Sequence, residues 1–258
     1  MTRHAAVACL VALVAAGAAG CASSGTSSAS AGSSSKAAGG SPAASGGTSA
    51  ASDPLAALSA DAIGNKASAD TFAATSVHVA GTGSDSGTPF SLALTIGRSS
   101  DCEGTFSEGA KGSFQLILIG KTVWVKPNDT FWKVNGGTDS SVLSILAGKW
   151  IEDSSGGSGL GSLSTMCSLS GMFGSLKSTA TDLTKGTTST VDGQRVLSLT
   201  QSGQAGTVYV SDTADPVIVR MAQPGAGGGS VDLTEYGAPF SVTAPPASQT
   251  LSGKDYGF

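Results

Sequence analysis

The four cysteines, Cys9, Cys21, Cys102 and Cys167, are the side chains of this chain with the most versatile chemistry. A cysteine thiol can be acylated, can bind a metal, can act as a nucleophile, or can pair with a second thiol in a disulfide. No two of the four are spaced as a Cys-x-x-Cys metal or redox motif. Which chemistry applies therefore depends on the compartment that the first residues specify.

The N-terminus has the layout of a secretory signal. Arg3 and His4 form a short basic start, an apolar run covers residues 5–16, and small residues precede Cys21. A cysteine directly after such residues resembles a bacterial lipobox, which implies cleavage before Cys21 and lipidation of its sulfur, although Ala18 stands where Leu is usual. The apolar run is too short to span a bilayer. An ordinary cleaved signal with an incidental cysteine is the alternative.

Cys102 and Cys167 remain once the signal is removed and Cys21 is lipidated. An even pair of cysteines in an oxidising compartment predicts a disulfide between them. Closing a loop of about 65 residues would contribute on the order of 4 kcal/mol to stability in the chain-entropy model. Two free thiols are the alternative. A metal site is disfavoured, because the mature chain has a single histidine, His78.

The other polar residues do not form a catalytic constellation. The sequence contains no Gly-x-Ser-x-Gly nucleophile elbow, and residues 81–83 and 225–229 lack the further residues of a nucleotide-binding loop. His78 lies between two valines, as a partly exposed histidine in a strand would. Glu152 and Asp153 adjoin in a predicted loop, where carboxylates are more often solvated than catalytic. We therefore expect no enzymatic activity, no metal and no cofactor.

Composition divides the chain into three parts. Residues 22–52 are almost all Ser, Ala, Gly and Thr, so they bury too little apolar surface to fold. As a flexible coil this tether spans roughly 30 Å root-mean-square; a glycosylated stalk is the alternative. We predict a lipoprotein signal peptide at 1–20, a lipidated cysteine and tether at 21–52, and a single domain at 53–258.

Charge restricts the classes of partner. The net charge is −4, charged residues make up only 12% of the chain, and no basic cluster is present. The electrostatic surface of a nucleic-acid-binding protein is therefore missing. The 37 glycines and the many Ser and Thr residues fit a loop-rich β protein outside the cell.

Periodicity within the domain predicts helices and strands in alternating blocks. The first element is a helix over residues 55–74, with Asp53 as its N-cap. From Ser76 onward apolar residues recur at every second position, which predicts a meander of six antiparallel strands. The sixth of these strands covers residues 131–134, and a two-residue turn at 120–121 joins the fourth strand to the fifth.

Helical signals return in the middle of the chain and then give way to strands. Residues 140–147 and 162–177 carry apolar stripes at helical spacing, the second interrupted by glycines. Six further strands are predicted between residues 180 and 236, two of them joined by the hairpin turn Asp192-Gly193. This order is typical of an α+β fold built on one large antiparallel sheet.

Seven segments between residues 55 and 246 carry a resemblance to known proteins: 74–79, 119–126, 131–134, 146–151, 191–196, 206–210 and 236–246. In these segments the chain resembles actinobacterial lipoproteins of the LppX/LprG type, which share the LolA/LolB-like fold. None of the segments is a catalytic motif, so the resemblance is one of fold. It implies an α+β open half-barrel: a large curved antiparallel β-sheet covered on its concave side by about three helices.

The same resemblance implies a role in lipid handling. In family members that bind a ligand, acyl chains lie in a cavity between sheet and helices. The alternation of apolar residues supports part of this independently, because three modest helices leave some of an apolar sheet face uncovered. The residues expected to line the cavity are Leu92, Leu94, Leu116, Leu118, Val123, Val125, Leu143, Leu146, Met166, Phe173, Val208, Val210 and Val219. An ordinary packed core is the alternative for each of them.

The expected protein is a monomeric lipoprotein held through Cys21 on the outer face of the cell membrane. Its partners would be the membrane and a lipid or acylated molecule, and it would bind no nucleic acid. Trp124, Trp132 and Trp150 could rim a ligand mouth or a partner site, or could simply pack beneath helices and loops. The rival interpretation is a non-catalytic interaction module of the cell envelope whose core is filled.

Overall fold

One twelve-stranded sheet organises the domain, and in it most strands pair with their neighbours in sequence. The computed structural model describes residues 53–135, 140–155, 159–177 and 180–256. The signal peptide, the lipidation of Cys21 and the tether lie outside these residues and stay predictions.

The strands form two consecutive meanders that meet where β1 pairs with β11. The first comprises β1 Ser76–Asp85, β2 Thr88–Gly97, β3 Cys102–Ser107, β4 Ser113–Ile119, β5 Thr122–Pro127 and β6 Trp150–Asp153. The second comprises β7 Leu183–Val191, β8 Gln194–Gln201, β9 Thr207–Ser211, β10 Ile218–Gln223 and β11 Gly229–Thr234.

A short C-terminal strand, β12 Thr250–Ser252, completes the sheet and was not predicted. It pairs with β6 in parallel, so the sheet is mixed, although all its other pairings are antiparallel. The spatial order is β12-β6-β5-β4-β3-β2-β1-β11-β10-β9-β8-β7, with β7 and β12 at the two edges. The sheet is open rather than closed into a barrel, as the predicted half-barrel requires.

Four α-helices accompany the sheet in the described residues. They are α1 Ala60–Ala73, α2 Asp129–Asn135, α3 Ser140–Leu146 and α4 Leu169–Phe173. Short 3₁₀ segments cover Gly109–Lys111, Gly159–Cys167, Gly174–Lys177, Ala247–Gln249 and Gly253–Tyr256. No helix in the described part of the chain is long and apolar enough to cross a membrane.

Helix α1 begins later than the sequence predicts, because Ser59 rather than Asp53 caps it. The Ser59 hydroxyl accepts a hydrogen bond of 3.1 Å from the backbone N–H of Ala62, which satisfies one of the free donors of the first turn. Asp53 makes a similar contact, 2.9 Å from the N–H of Leu55, but that contact only closes a turn ahead of the helix.

The strand predicted at residues 131–134 is wrong; these residues belong to helix α2. The preceding Asn128 explains the difference, because its side-chain oxygen accepts hydrogen bonds from the N–H of Phe131 at 2.8 Å and of Ser113 at 3.2 Å. A side-chain acceptor in this position starts a helix directly after Pro127 ends β5. The short apolar run alone could not distinguish the two structures.

The helix predicted at 162–177 is instead a 3₁₀ segment, the five-residue α4 and a second 3₁₀ segment. Gly171 lies within α4 and Gly174 directly after it, where glycine disfavours a continuous helix. The predicted hairpin turns are confirmed. Asp192 and Gly193 have φ angles of 48° and 82°, and Gly120 has a φ of 61°.

The inner face of the sheet, defined as the face that α1 covers, carries the main core. Alternate residues of β1 to β5 and of β8 to β11 meet Leu55, Ile63 and Ala67 there. Two glycines allow close approach on this face. A Cβ at Gly104 would lie 2.0 Å from the carbonyl oxygen of Ala93, and one at Gly83 would lie 2.7 Å from the ring of Phe90.

The sheet has two ends, named here from the β1–β2 hairpin. The lower end holds Ser76, where β1 begins, and the upper end holds the hairpin turn at residues 86–87. Strand β5 runs upward, since Pro127 pairs with Phe114 near the top of β4. Helices α2 and α3 therefore connect β5 to β6 at the upper end.

Candidate functional site

The cover segment, residues 159–177, crosses the inner face from β6 to α1 and is attached at three points. The first is Asp153 of β6, whose carboxylate accepts hydrogen bonds from the backbone N–H of Ser155 at 2.7 Å and of Gly161 at 3.0 Å. Burial alone would raise the pKa of Asp153, but these hydrogen bonds outweigh it and lower the pKa. The carboxylate is therefore ionised near neutral pH and fixes the start of the segment.

The second and third attachments lie farther along the cover segment. A disulfide joins Cys167 to Cys102 of β3, as the sequence predicts, with their Cα atoms 5.4 Å apart. The hydroxyl of Ser68 in α1 donates a hydrogen bond of 2.5 Å to the carbonyl oxygen of Leu176. Between these points lies α4, whose main neighbours are the 3₁₀ segments on either side. Helix α4 is thus attached to the rest of the fold at both of its ends.

Burial of the inner face decreases from the lower end to the upper end. Near the lower end the apolar side chains are covered: Val77 is 1% exposed, and Leu118 and Ile218 are each 3% exposed. At the upper end Phe114 and Leu199 are still buried, at 9% and 2% exposed, but five apolar residues that pack on the same core are only partly buried. This upper ring consists of Phe90, Phe106, Val208, Met221 and Val231.

The apolar residues of α4 are also incompletely covered. Leu169, Met172 and Phe173 are each partly buried and pack against the main core. A helix of only five residues has little stability of its own, so its position depends on this packing. The geometry therefore combines an apolar sheet face that is open at one end with a short, weakly supported apolar cover.

Most of the residues predicted to line a cavity lie in the main core. Those from Leu92 to Val125, together with Met166 and Val210, contact one another and α1 there. Phe173 and Val208 belong to the same core but are only partly buried. These side chains form a packed core in the structure, and the ligand cavity expected among them stays a prediction.

Leu143 and Leu146 lie in a second, smaller cluster. They pack with Trp132 and Ile151 beside β6, and Leu146 is 2% exposed. Leu160 of the cover segment packs against this cluster and against the main core, so the two are continuous. The second cluster extends the apolar interior toward α2 and α3.

Val219 lies away from the other predicted residues. It packs with Val191, Val196 and Tyr209, a cluster that contains none of the inner-face residues. The register of β10 against β9 shifts between Ile218 and Arg220, so this β-bulge reverses the expected alternation. Ile218, the residue before Val219, lies on the inner face where Val219 was predicted to lie.

Four residues of the upper ring were not predicted to line the cavity: Phe90, Phe106, Met221 and Val231. Phe90 lies two residues before Leu92, on the same face of β2. Phe106 lies four residues after Cys102, and Val231 two residues before Leu233, so alternation along β3 and β11 could have found both. Met221 lies two residues after Val219, so the alternation that wrongly placed Val219 on this face would have placed Met221 there correctly.

Two open clefts lie outside the layer between sheet and helices. One, of about 460 Å³, lies at the upper end beside the β1–β2 hairpin and is lined in part by Gly83, Ser91 and Phe90 of the upper ring. The other, of about 720 Å³, lies at the lower end and is lined in part by Arg98 and Phe240. None of the residues predicted for the cavity lines either cleft.

Two of the tryptophans pack within the strands of the opposite, outer face. Trp124 is 9% exposed and its indole N–H donates a hydrogen bond of 3.1 Å to the carboxylate of Glu152. Trp150 is 8% exposed, with the ammonium group of Lys126 5.9 Å from its ring centre. Neither of these two tryptophans rims the upper ring.

The described residues offer no metal centre, since no three His, Cys, Asp or Glu side chains are grouped to hold an ion. His78 contacts Thr95, with Nδ1 3.0 Å from the threonine hydroxyl across the β1–β2 pair. Burial raises the pKa of Tyr236, whose hydroxyl donates a 2.5 Å hydrogen bond to the carbonyl oxygen of Ile218. These groups stabilise the fold and form no reactive pair.

The similarity of this chain to known proteins lies in its fold. No family model and no curated protein matches the chain. LprF from Mycobacterium bovis is a similar solved structure, with 15% identity, a TM-score of 0.51, and coverage of 72% of this chain and 96% of that one. An uncharacterized conserved protein from Thermus thermophilus has 11% identity and a TM-score of 0.34, with coverage of 74% of this chain and 96% of that one. The likeness to LprF confirms the curved, open α+β sheet expected from the LppX/LprG resemblance.

Proposed function

We propose that the domain binds the acyl chain of a lipid, or a similarly extended apolar ligand, at the upper end of its inner face. The decrease in burial from the lower to the upper end carries this proposal. An apolar surface that is covered at one end and accessible at the other suits a long, narrow apolar ligand, which can enter lengthwise. The partly exposed side chains of the upper ring mark the point where such a ligand enters.

Binding requires α4 to move, because the protein's own side chains fill the interior. Leu169, Met172 and Phe173 leave the sheet as the ligand enters, while the disulfide at Cys167 and the Ser68 hydrogen bond hold the two ends of the moving part. Each methylene group buried by the ligand contributes about 0.8 kcal/mol. An acyl chain can therefore compensate for the apolar contacts that α4 gives up.

The proposal includes the place of the protein in the cell. The signal sequence and the cysteine at position 21 support a lipoprotein anchored on the outer face of the membrane, with the domain carried on its tether. The resemblance to LppX/LprG-type lipoproteins supports the same ligand class. The protein would act as a carrier or a binding protein, without a reaction of its own.

A second candidate function is a solid interaction module that binds no lipid. The observation in its favour is the filled interior, in which Leu94, Leu116 and Val123 are all 0% exposed. In this interpretation α4 is a permanent part of the core. The partly buried residues of the upper ring would then need no ligand.

Fluorescent fatty-acid binding to the non-lipidated mature chain separates these candidates, together with native mass spectrometry for co-purified lipid. Met221→Gln places a polar group in the upper ring and should weaken fatty-acid binding at least tenfold. Ala222→Gln is the matched control, because the neighbouring residue is also partly buried and points to the opposite face. Absence of both co-purified lipid and fatty-acid binding in the wild type would leave only the solid module.

A further inference from the structure

The described residues expose few large apolar side chains, and two of these lie on α2 and α3. Val134 is 55% exposed on α2 and Ile145 is 48% exposed on α3; the third, Leu58, is 38% exposed ahead of α1. Both helices are anchored from beneath, since Trp132 and Leu146 are buried in the same small cluster. The exposed pair therefore projects from a packed base.

The exposed pair, Val134 and Ile145, lies at the same end of the sheet as the partly buried upper ring. Helices α2 and α3 connect β5 to β6 at the upper end of the sheet, the same end as the upper ring. Phe131 of α2 packs both on the small cluster and on the main core, and its ring lies 6.0 Å from that of Phe114. Apolar surface thus continues from the exposed pair toward the upper ring.

We propose that Val134 and Ile145 insert into the surface of a lipid bilayer and so place the upper end of the domain against the membrane. Exposed Lys133, which precedes Val134, lies where it can meet lipid headgroups. The inference rests on the proposed membrane anchor for its setting. The surface around Val134 and Ile145 then faces the membrane, and a lipid chain reaches the inner face through the upper end.

The length of the chain outside the described residues favours a membrane as the occupant. The predicted tether, residues 22–52, has 31 residues; as a flexible coil it would span roughly 30 Å root-mean-square, and fully extended it would reach about 100 Å. Strand β1, the full height of the sheet, has 10 residues and is about 33 Å long. A domain lipidated at Cys21 can therefore turn its upper end toward the bilayer. The tether keeps the domain at a high local concentration near the membrane, so a weak contact is enough to hold that orientation.

Vesicle flotation of the mature chain with Cys21→Ser tests this surface without help from the lipid anchor. Vesicles of phosphatidylcholine, and of phosphatidylcholine mixed with phosphatidylglycerol, should carry the protein to the top of the gradient. Val134→Asp and Ile145→Asp should each reduce the bound fraction at least fivefold. Leu58→Asp is the matched control, since Leu58 is an exposed apolar residue outside α2 and α3, and it should bind as the wild type does.

Two results would overturn the inference. One is equal flotation of the wild type and the two aspartate variants; the other is an equal loss with Leu58→Asp, which would indicate nonspecific adhesion. Sedimentation of the same proteins without vesicles detects self-association, and a dimer broken by Val134→Asp would mean that the pair binds a second copy instead. Fatty-acid binding measured alongside separates this inference from the proposed function, because the aspartate variants should retain it in solution.

Discussion

Asp212 is a buried carboxylate whose surroundings favour its uncharged form. Its side chain is 1% exposed, and Nε of Arg195 lies 2.8 Å from one of its oxygens, yet neither oxygen has a well-aligned hydrogen bond. Burial raises the pKa of Asp212 and the neighbouring Asp53 raises it further, while Arg195 opposes the change. The contribution of Asp212 to stability is therefore greatest below the unfolded-state pKa of about 3.9 and decreases as the pH rises through the higher folded-state pKa.

Asp212→Asn should raise the melting temperature near pH 7. Asparagine keeps the shape of the side chain and has no charge to bury, although it gives up the attraction of Arg195. A net gain of about 1 kcal/mol corresponds to about 2–4 °C in a domain of this size. Thermal unfolding followed by circular dichroism checks this, and near pH 3 the two proteins should melt alike. An equal shift at both pH values would mean that ionisation is not the cause.

The disulfide between Cys102 and Cys167 should contribute substantially to the stability of the domain, because it attaches the cover segment to β3. Cys102→Ser should lower the melting temperature by roughly 10 °C, from a loss on the order of 4 kcal/mol. A reducing agent should lower the melting temperature of the wild type by a similar amount and leave the variant unchanged. If neither the substitution nor the reducing agent changes melting, the cross-link does not stabilise the fold.

At the scale of the elements, alternation and turn residues were reliable guides, whereas short apolar runs were not. The period of two along β2 and the turn at Asp192-Gly193 led directly to the observed strands and hairpin. Residues 131–134 form a helix because of the side chain of Asn128, a local contact that a pattern of apolar residues does not record. The bulge beside Val219 arises from pairing between strands, so it reversed one assignment without any signal within the strand.

Gly174→Ala tests whether α4 must move for a ligand to enter. Gly174 already has helical angles, φ −56° and ψ −30°, and a Cβ there would meet no atom within 4 Å. Alanine should therefore stabilise the end of α4 by about 0.5–1 kcal/mol. If opening of α4 limits entry, stopped-flow association of a fluorescent fatty acid should slow about two- to fivefold.

Gly171→Ala should act in the opposite direction. A Cβ at Gly171 would lie 2.4 Å from the carbonyl oxygen of Thr165, so alanine should disturb the packing of α4 on the preceding 3₁₀ segment. Faster association in this variant and slower association in Gly174→Ala would together identify α4 as the gate. Identical rates in both variants and the wild type would exclude that role.

At the scale of the whole molecule, the open sheet has one closed and one open end. Helix α1 and the attachments at Asp153 and Cys167 secure the lower and middle parts of the inner face, whereas the upper ring has only partial cover. The sequence predicted the sheet and its apolar face but not this gradient. The gradient depends on where the cover segment crosses the strands, and that crossing is set by contacts as distant in sequence as Ser68 and Leu176.

Hydrogen exchange should follow this gradient. Amides in the lower and middle parts of β2 to β4 should exchange slowest, because opening them exposes the fully buried core, while residues 168–175 should exchange fastest within the cover segment. A saturating fatty acid should then slow exchange at the upper ends of β2, β3 and β10, near Phe90, Phe106 and Met221. Mass spectrometry of deuterated peptides resolves these regions. Uniform protection along the strands, unchanged by fatty acid, would mean that the upper end is neither open nor a binding site, and the domain would then be a solid module on its tether.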